Sequence, residues 1–532
     1  MTRSMLHRGM AEPWRTGGPS PLTLKWTVAG GKHVAPRIAT VTTDAELQEL
    51  RNEARRCERA GRLGDAVAAY ERLLALSPDR PDSWYNLAVL KRKTGDFDGA
   101  LASYQQALDR GVTRPEEVHL NRGVIYADGL RRNDAAQREL REALAINPSY
   151  VPALLNLANL ETDLGRIDAA AVVYERLLAI DPMCSEALAR YAQIRSASGP
   201  EDPLVARLRE ALARPGTSAP DKASLAFALG KILDDCGAYD AAFAAYVAAN
   251  RYSRDCAEPG AVQYDRRRHE LYVDELIRTF PPGRAKTAVP ASSARPLFIC
   301  GMFRSGSTLT EQVLAGHSKV AAGGEIDYIP ALVRTALAPF PGSMAEVSPA
   351  RLGELAARYL AGLAKLFPGV PHVTDKRPDN YLNVGLIKSL FPHAKIIHTT
   401  RHPLDNILSV FFLHLDPSMG YALDLMDTAH HYREYRRLMT HWKSLYGPDI
   451  LDFDYDALVR NPRGEVERLL AFCELDWEEG CLDFHRVRNA VKTASALQVR
   501  EPLYQRASGR WRNYATQIEP VRAYLADLLP GR

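Results

Sequence analysis

Apolar positions in the first half of the chain recur with a helical period, and the pattern itself repeats. From Gly61, "GRLGDAVAAYERLLALSPD" carries Ala66 and Tyr70; Gly95/Ala100/Tyr104, Gly165/Ala170/Tyr174 and Gly237/Ala242/Tyr246 keep the same spacing. A degenerate copy begins at Gly129, so the starts at 61, 95, 129, 165 and 237 lie 34, 34, 36 and 72 residues apart. Upstream of three of these, "SWYNLAVLKRKTG", "VHLNRGVIYADG" and "ALLNLANLETDLG" supply partner helices. The spacing predicts stacked helix-turn-helix units. Gly ends the first helix where φ turns positive. Ala lets the two helices approach, Tyr fills the gap to the next unit, and Pro78, Pro148 and Pro182 stop the second helix. Residues 196–220 read as a looser insertion before the last helix pair.

Beyond about residue 255 the pattern changes. "YDRRRHELYVDELIRTF" predicts a connecting helix and "PPGRAKTAVPASSARP" a linker. Short β-branched runs then alternate with helical stretches. Strands are expected at 296–300, 372–376, 394–400 and 449–455, and helices starting near 307, 327, 351, 383, 403, 424, 456 and 519. Such alternation implies a parallel sheet covered by helices on both faces. A period near 34 indicates the tetratricopeptide (TPR) repeat. The expected fold is therefore an N-terminal all-α TPR solenoid followed by an α/β, P-loop-like domain. The expected boundaries are a poorly ordered tail at 1–43, repeats at 44–255, connecting helix and linker at 256–294, and the α/β domain at 295–532.

Composition narrows the function classes. The 68 Lys and Arg against 64 Asp and Glu leave a net charge of only +4, which argues against general nucleic-acid binding but allows a local anion pocket. The seven cysteines, at 57, 184, 236, 256, 300, 473 and 481, are odd in number and contain no C-x-x-C pair. That pattern predicts neither a disulfide framework nor a zinc site, and fits a reducing compartment. No apolar run nears the ~20 residues that span a bilayer, and the N-terminus lacks a hydrophobic signal core. The expectation is a soluble, cytoplasmic protein with no membrane role.

The chemistry concentrates in "PLFICGMFRSGSTLTEQVLAGHSK". A short apolar strand leads into Gly301–Thr308 and then a helix, the setting of a phosphate-binding loop. Ser307 stands where the nucleotide loop would carry Lys, and Arg304 lies within the loop. Backbone N–H groups and the helix dipole favour an anion; Arg304 adds a planar fork of donors, with Ser307 and Thr308 adding hydroxyls. No acidic residue convincingly offers a magnesium ligand, "DFDYD" being the one rival. An anion held without a metal suits a sulfo group; the plain alternative is an ordinary strand-turn-helix loop. In "IIHTTRHPLDNILSVFF", Arg401 ends an apolar strand, Pro403 begins a helix, and Ser409 lies about two turns in. Ser409 alone could bond its own backbone; with Arg401 it can clamp a second phosphate. Two anion cradles on one sheet imply a ligand with two anionic ends.

Together "FRSGST", "GGE", "DKRPDN", "TTRHPLDNILS", "DYDALVRNP" and "TASALQVREPLYQRASGRW" resemble the sulfotransferase family, above all its protein-tyrosine sulfotransferase branch and bacterial proteins joining TPR repeats to such a domain. The resemblance spans roughly residues 295–515. It implies 3′-phosphoadenosine-5′-phosphosulfate (PAPS) as donor and no metal. It implies that Arg304, Ser305, Gly306, Ser307 and Thr308 hold the 5′-phosphosulfate, with Arg401 and Ser409 on the 3′-phosphate. Glu325 matches the catalytic base, a role that suits a carboxylate facing a phenol of pKa ~10. Lys376 matches the lysine near the bridging oxygen, where it would stabilise the leaving phosphate. Arg304 is implied in catalysis as well as binding. Tyr455 matches a tyrosine near the nucleotide, Ser495 and Gln498–Tyr504 (with Val499) the adenosine-side loop, and Arg510 replaces a lysine that reaches the 3′-phosphate. Arg377 has no assigned role, and Trp511 reads as packing. Leu413 departs from the branch, which carries a basic residue there; Arg510 or Arg512 would have to compensate. His393, His398 and His402 flank one strand and read as packing or capping rather than as a base.

The implied activity is metal-independent transfer of a sulfo group to an acceptor hydroxyl, a protein tyrosine among the candidates. The TPR concave face would hold a peptide or protein acceptor or partner. The alternatives are a TPR scaffold with an inactive sulfotransferase-like domain, and a P-loop kinase or NTPase, which would need the missing lysine. Acceptor identity and oligomeric state stay open.

Overall fold

The computed structural model describes residues 43–197, 199–256, 263–281, 295–416, 418–487, 493, 495, 498–503 and 507–530. The expected N-terminal tail (apart from Thr43), most of the linker and Tyr504 lie outside these residues. The chain divides into two compact units. One comprises the described residues up to Glu161 with Ile167–Pro182; the other comprises Thr162–Arg166 and the described residues from Met183 onward.

The first unit holds helices α1 (Asp44–Arg59), α2 (Leu63–Leu76), α3 (Pro81–Lys93), α4 (Phe97–Asp109), α5 (Pro115–Val124), α6 (Asn133–Ile146), most of α7 (Val151–Asp163) and α8 (Ile167–Ile180). Gly61, Gly95 and Gly165 take φ of 72°, 82° and 75°, the left-handed turn that ends the first helix of each pair. Ala66, Ala100 and Ala170 are fully buried, and Tyr70, Tyr104 and Tyr174 sit beside them in the core. The helices before Pro78, Pro148 and Pro182 end two residues short of each proline. The degenerate unit differs for a local reason. There α5 runs into a π-helical turn over Ile125–Gly129, and Arg131, not Gly129, adopts the left-handed conformation (φ 54°).

The second unit begins with α9 (Ser185–Ile194), α10 (Pro203–Ala213), α11 (Ala219–Asp235) and α12 (Tyr239–Asp255). The expected loose insertion at 196–220 thus contains an eleven-residue helix, capped by the Asp202 side chain on the Leu204 N–H at 2.9 Å. Gly237 (φ 75°) closes the last repeat-like pair. By compactness, α9–α12 group with the C-terminal domain, so the break falls near residue 182 rather than at 255. An aromatic seam explains it. Tyr246 stacks on Phe412 at 4.0 Å, Phe243 meets Phe411 at 6.0 Å, and the Asn250 side-chain amide donates to the Phe411 carbonyl at 2.9 Å. Tyr246→Ala would leave a void where the ring is 98% buried; we expect this unit to lose about 3–5 kcal/mol, read by urea unfolding.

The "connecting" segment forms α13 (Arg266–Thr279), which belongs to the C-terminal core: Val273, Leu276 and Phe280 are fully buried, and Phe280 meets Trp442 edge-on at 5.7 Å. The sheet follows, with β1 (Arg295–Gly301), β2 (Val320–Ala321), β3 (His372–Lys376), β4 (Ile396–Thr400) and β5 (Ile450–Asp454) in the order β2-β3-β1-β4-β5, all parallel. Around it lie α14 (Ser307–Ala315), α15 (Tyr328–Arg334), α16 (Pro349–Leu366), α17 (Val384–Leu390), α18 (Pro403–Phe411), α19 (Leu425–Tyr446), α20 (Tyr455–Arg460), α21 (Pro462–Phe472) and α22 (Glu519–Tyr524). Alternate strand residues feed opposite faces. Phe298, Cys300 and Ile396 enter one apolar cluster; Leu297, Ile299 and Ile397 enter the other. Because the strands run parallel, their C-terminal ends share one edge, bringing together Gly301, Lys376, Thr400 and Asp454 and the loops that follow them.

Candidate active site

The loop after β1 is shaped by three residues with positive φ: Gly301 (150°), Arg304 (69°) and Gly306 (105°). A Cβ on Gly301 would lie 2.4 Å from the Thr399 carbonyl oxygen, and one on Gly306 would lie 3.3 Å from the Tyr455 ring. Both glycines therefore allow close backbone approach as well as the turn. Arg304 carries a side chain in the left-handed region, a strained choice of the kind that marks functional loops. Gly306 caps α14 without a side-chain hydrogen bond, so the cap residue gives the first N–H groups of the helix no local acceptor.

From this loop the Arg304 guanidinium reaches three oxygens. Nε donates to Ser409 Oγ at 3.0 Å, Nη2 to Gln498 Oε1 at 2.7 Å, and Nη1 to Ser495 Oγ. Gly306, Ser307 and Thr308 line the same cleft, with Phe303, Pro378, Leu413, Leu415 and Thr493. Arg401, one residue beyond β4, stands behind the loop. It donates to the Arg304 carbonyl at 3.5 Å and to the Ala507 carbonyl, and its guanidinium lies 5.0 Å over the Tyr455 ring. Its Nε is buried with no hydrogen-bond partner among the described residues.

Across the cleft, Lys376 at the end of β3 pairs with Glu325 at 2.9 Å. The lysine side chain is 1% exposed and the glutamate 22%. Burial pushes the Glu325 carboxyl up, but the adjacent Lys376 ammonium more than offsets it and holds the group below the ordinary glutamate value. Glu325 is thus ionised at neutral pH and able to accept a proton. The neighbouring Asp375 faces the other way, accepting from Tyr359 (2.7 Å) and Asn380 (3.1 Å). Burial lifts its carboxyl to about 7. A folded value above the unfolded ~3.9 contributes stability that is present in acid and lost as pH rises through about 7. Asp375→Asn should therefore flatten the fall in stability between about pH 5 and pH 8, read by urea unfolding at both.

A family model described as "Sulfotransferase family" matches residues 296–479, and tetratricopeptide-repeat models match 52–115, 85–129 and 129–194. The chain carries a sulfotransferase-family domain behind tetratricopeptide repeats. An uncharacterized protein of Aquifex aeolicus (strain VF5) is 32% identical over 405 residues, covering 73% of this chain; the chain spans only 52% of that relative's length. A putative protein-tyrosine sulfotransferase of Caenorhabditis briggsae is 25% identical over 230 residues, covering 40% of this chain and 80% of the relative. Among solved structures, the sulfotransferase domain from the curacin biosynthetic pathway aligns over 44% of this chain and 99% of its own, at 16% identity and a TM-score of 0.34.

Within the sulfotransferase domain, not every expected residue meets the cleft. Arg510 does not line it: its guanidinium pairs with Asp234 of α11 and lies 5.4 Å over Phe412, so its charge is already met. Arg512 lies 5.2 Å over the Trp511 ring. The Ser305 hydroxyl bonds Thr399 Oγ1 at 2.7 Å and braces the loop to β4. Val499 is buried in the apolar cluster beneath α14. His398 is fully buried between Asp452 and Tyr435, and His402 stacks on Trp511 at 5.5 Å. Arg377 forks onto Asp379 at 3.1 and 3.2 Å. In "DFDYD", Asp454 caps α20 through the Ala457 N–H at 2.8 Å, and Asp456 accepts the His402 N–H at 2.9 Å. Among the described residues, no helix is long and apolar enough to cross a membrane.

Proposed function

We propose that the chain is a PAPS-dependent sulfotransferase that moves a sulfo group to an acceptor hydroxyl by in-line attack, without a metal. The observation that carries this reading is the Glu325–Lys376 pair facing the Arg304 loop across one cleft. The donor supplies an activated sulfo group on a 5′-phosphate. Residues Gly306, Ser307 and Thr308 and the start of α14 offer N–H and hydroxyl donors to that end. Arg401, whose buried Nε has no hydrogen-bond partner among the described residues, fits an anion at the other end. Ser409 and Arg304 are joined by a hydrogen bond, so the two cradles act as one binding surface. Glu325 would take the acceptor proton as the oxygen bonds to sulfur, and Lys376 would meet charge on the departing phosphate oxygen.

The acceptor we propose is a phenolic hydroxyl, a protein tyrosine being the first candidate. The apolar lining from Phe303, Pro378, Leu413 and Leu415 supports an aromatic group next to Glu325, as does the likeness to the putative protein-tyrosine sulfotransferase of Caenorhabditis briggsae. The repeats would recruit the acceptor or a partner. The test is labelled sulfate transfer from PAPS into a cell lysate with and without EDTA, followed by mass spectrometry of what was labelled. EDTA-resistant labelling of tyrosine is the expected result. Binding of adenosine 3′,5′-bisphosphate with no transfer would instead identify a scaffold carrying an inactive domain.

A further inference from the structure

The buried carboxylate of Glu311 has no part in the chemistry described above, yet it sits at the junction of the three elements that perform it. Glu311 lies on α14, four residues after the loop serine Ser307, and is 4% exposed. Its Oε1 accepts the Gly324 N–H at 2.9 Å and the Thr374 hydroxyl at 2.6 Å. Thr374 Oγ1 in turn accepts the Gly323 N–H at 3.0 Å, and the Gly324 carbonyl accepts the Lys376 N–H at 3.0 Å. The peptides immediately before Glu325 are therefore held from both sides. The two glycines are needed for this fit: a Cβ on Gly323 would stand 2.0 Å from the Thr374 carbonyl oxygen, and Gly324 has φ 68°.

We propose that Glu311 is a positioning residue for Glu325, a role that rests on the sulfotransferase reading above. Its carboxylate ties the helix of the anion-binding loop to the backbone that carries the base and, through Thr374, to the strand that ends in Lys376. One acceptor oxygen thus sets the distance between loop, base and lysine. Burial drives the Glu311 carboxyl up, with Lys376 and the two donated hydrogen bonds opposing the rise. Both bonds fall on an oxygen that a glutamine also possesses. The requirement is for that acceptor, not for a charge.

The test uses the full chain with Glu311→Ala, Glu311→Gln and Thr374→Val. Hydrogen exchange of the segment around Gly323 and Gly324 is measured by mass spectrometry, affinity for adenosine 3′,5′-bisphosphate by calorimetry, and labelled sulfate transfer from PAPS into lysate by scintillation. Glu311→Ala takes the acceptor from the part-buried Gly324 N–H, and Thr374→Val takes it from the buried Gly323 N–H. They should speed exchange in that segment and slow transfer by roughly tenfold or more, with nucleotide affinity within about threefold of wild type. Glu311→Gln should restore both to within about threefold, which a generally loosened core would not do. The proposal is overturned if Glu311→Ala transfers at the wild-type rate with unchanged exchange, or if Glu311→Gln fails as badly as Glu311→Ala. Should Glu311→Ala not fold, Thr374→Val decides by the same readings. If the wild type transfers no sulfate, the functional reading fails, and exchange in the three variants still decides whether Glu311 anchors the base loop.

Discussion

Glu325→Gln is expected to slow sulfo transfer by about 10²–10⁴-fold while leaving the affinity for adenosine 3′,5′-bisphosphate within about threefold. Glutamine matches the shape of glutamate and can still accept a hydrogen from Lys376, now paired at 2.9 Å, but it cannot take up the proton of an acceptor hydroxyl. The loss should therefore fall on turnover, not on nucleotide binding. The pH profile adds a second check. The Lys376 ammonium keeps the Glu325 carboxyl below its ordinary value despite burial, so the acid limb of the rate should lie below the ~4.3 of a free glutamate. The comparison is a single-turnover assay of labelled transfer. Normal turnover by Glu325→Gln would remove Glu325 from the base role.

Arg304→Ala should have the other large effect, about 10²–10³-fold in transfer, accompanied by weaker binding of the nucleotide. One side chain is hydrogen-bonded at once to Ser409 on α18 and to Ser495 and Gln498 in the C-terminal segment. Removing it deletes a positive charge from the cleft and also separates elements that the guanidinium holds together. Arg304→Lys should rescue little, because an ammonium on a flexible stem cannot span the three oxygens that a planar fork meets. Calorimetry with adenosine 3′,5′-bisphosphate alongside the transfer assay separates the two losses. An alanine variant that binds and turns over like the wild type would reduce Arg304 to a structural residue.

Much of the architecture was legible in the order of residues. The repeat units show themselves through Gly, Ala and Tyr at fixed spacing, and those residues adopt the predicted turn, contact and filling positions. Four of the five strands and the start of α14 match the apolar runs and the loop glycines closely. The missing strand, Val320–Ala321, is two residues long and too short to carry a pattern. Other differences have a common cause. Asp234 captures Arg510 from 276 positions away, and Ser495 and Gln498 converge on Arg304 from 191 and 194 away. Nothing in the order of residues singles out Glu311, whose partners Gly324 and Thr374 lie 13 and 63 positions away.

Chain chemistry alone was enough for the two kinds of architecture and for the strand-turn-helix around Gly301 and Gly306, whereas Glu325 and Lys376 stood out only through the family resemblance. The architecture and the turn depend on neighbours within a few turns or one strand, where apolar period and backbone sterics act. Folding was needed to decide which charges face the cleft, which are neutralised elsewhere, and that α9–α12 pack into the unit of the sulfotransferase-family domain. Those outcomes turn on ion pairs, ring stacking and buried hydrogen bonds between segments far apart in sequence, and only packing determines which partners meet.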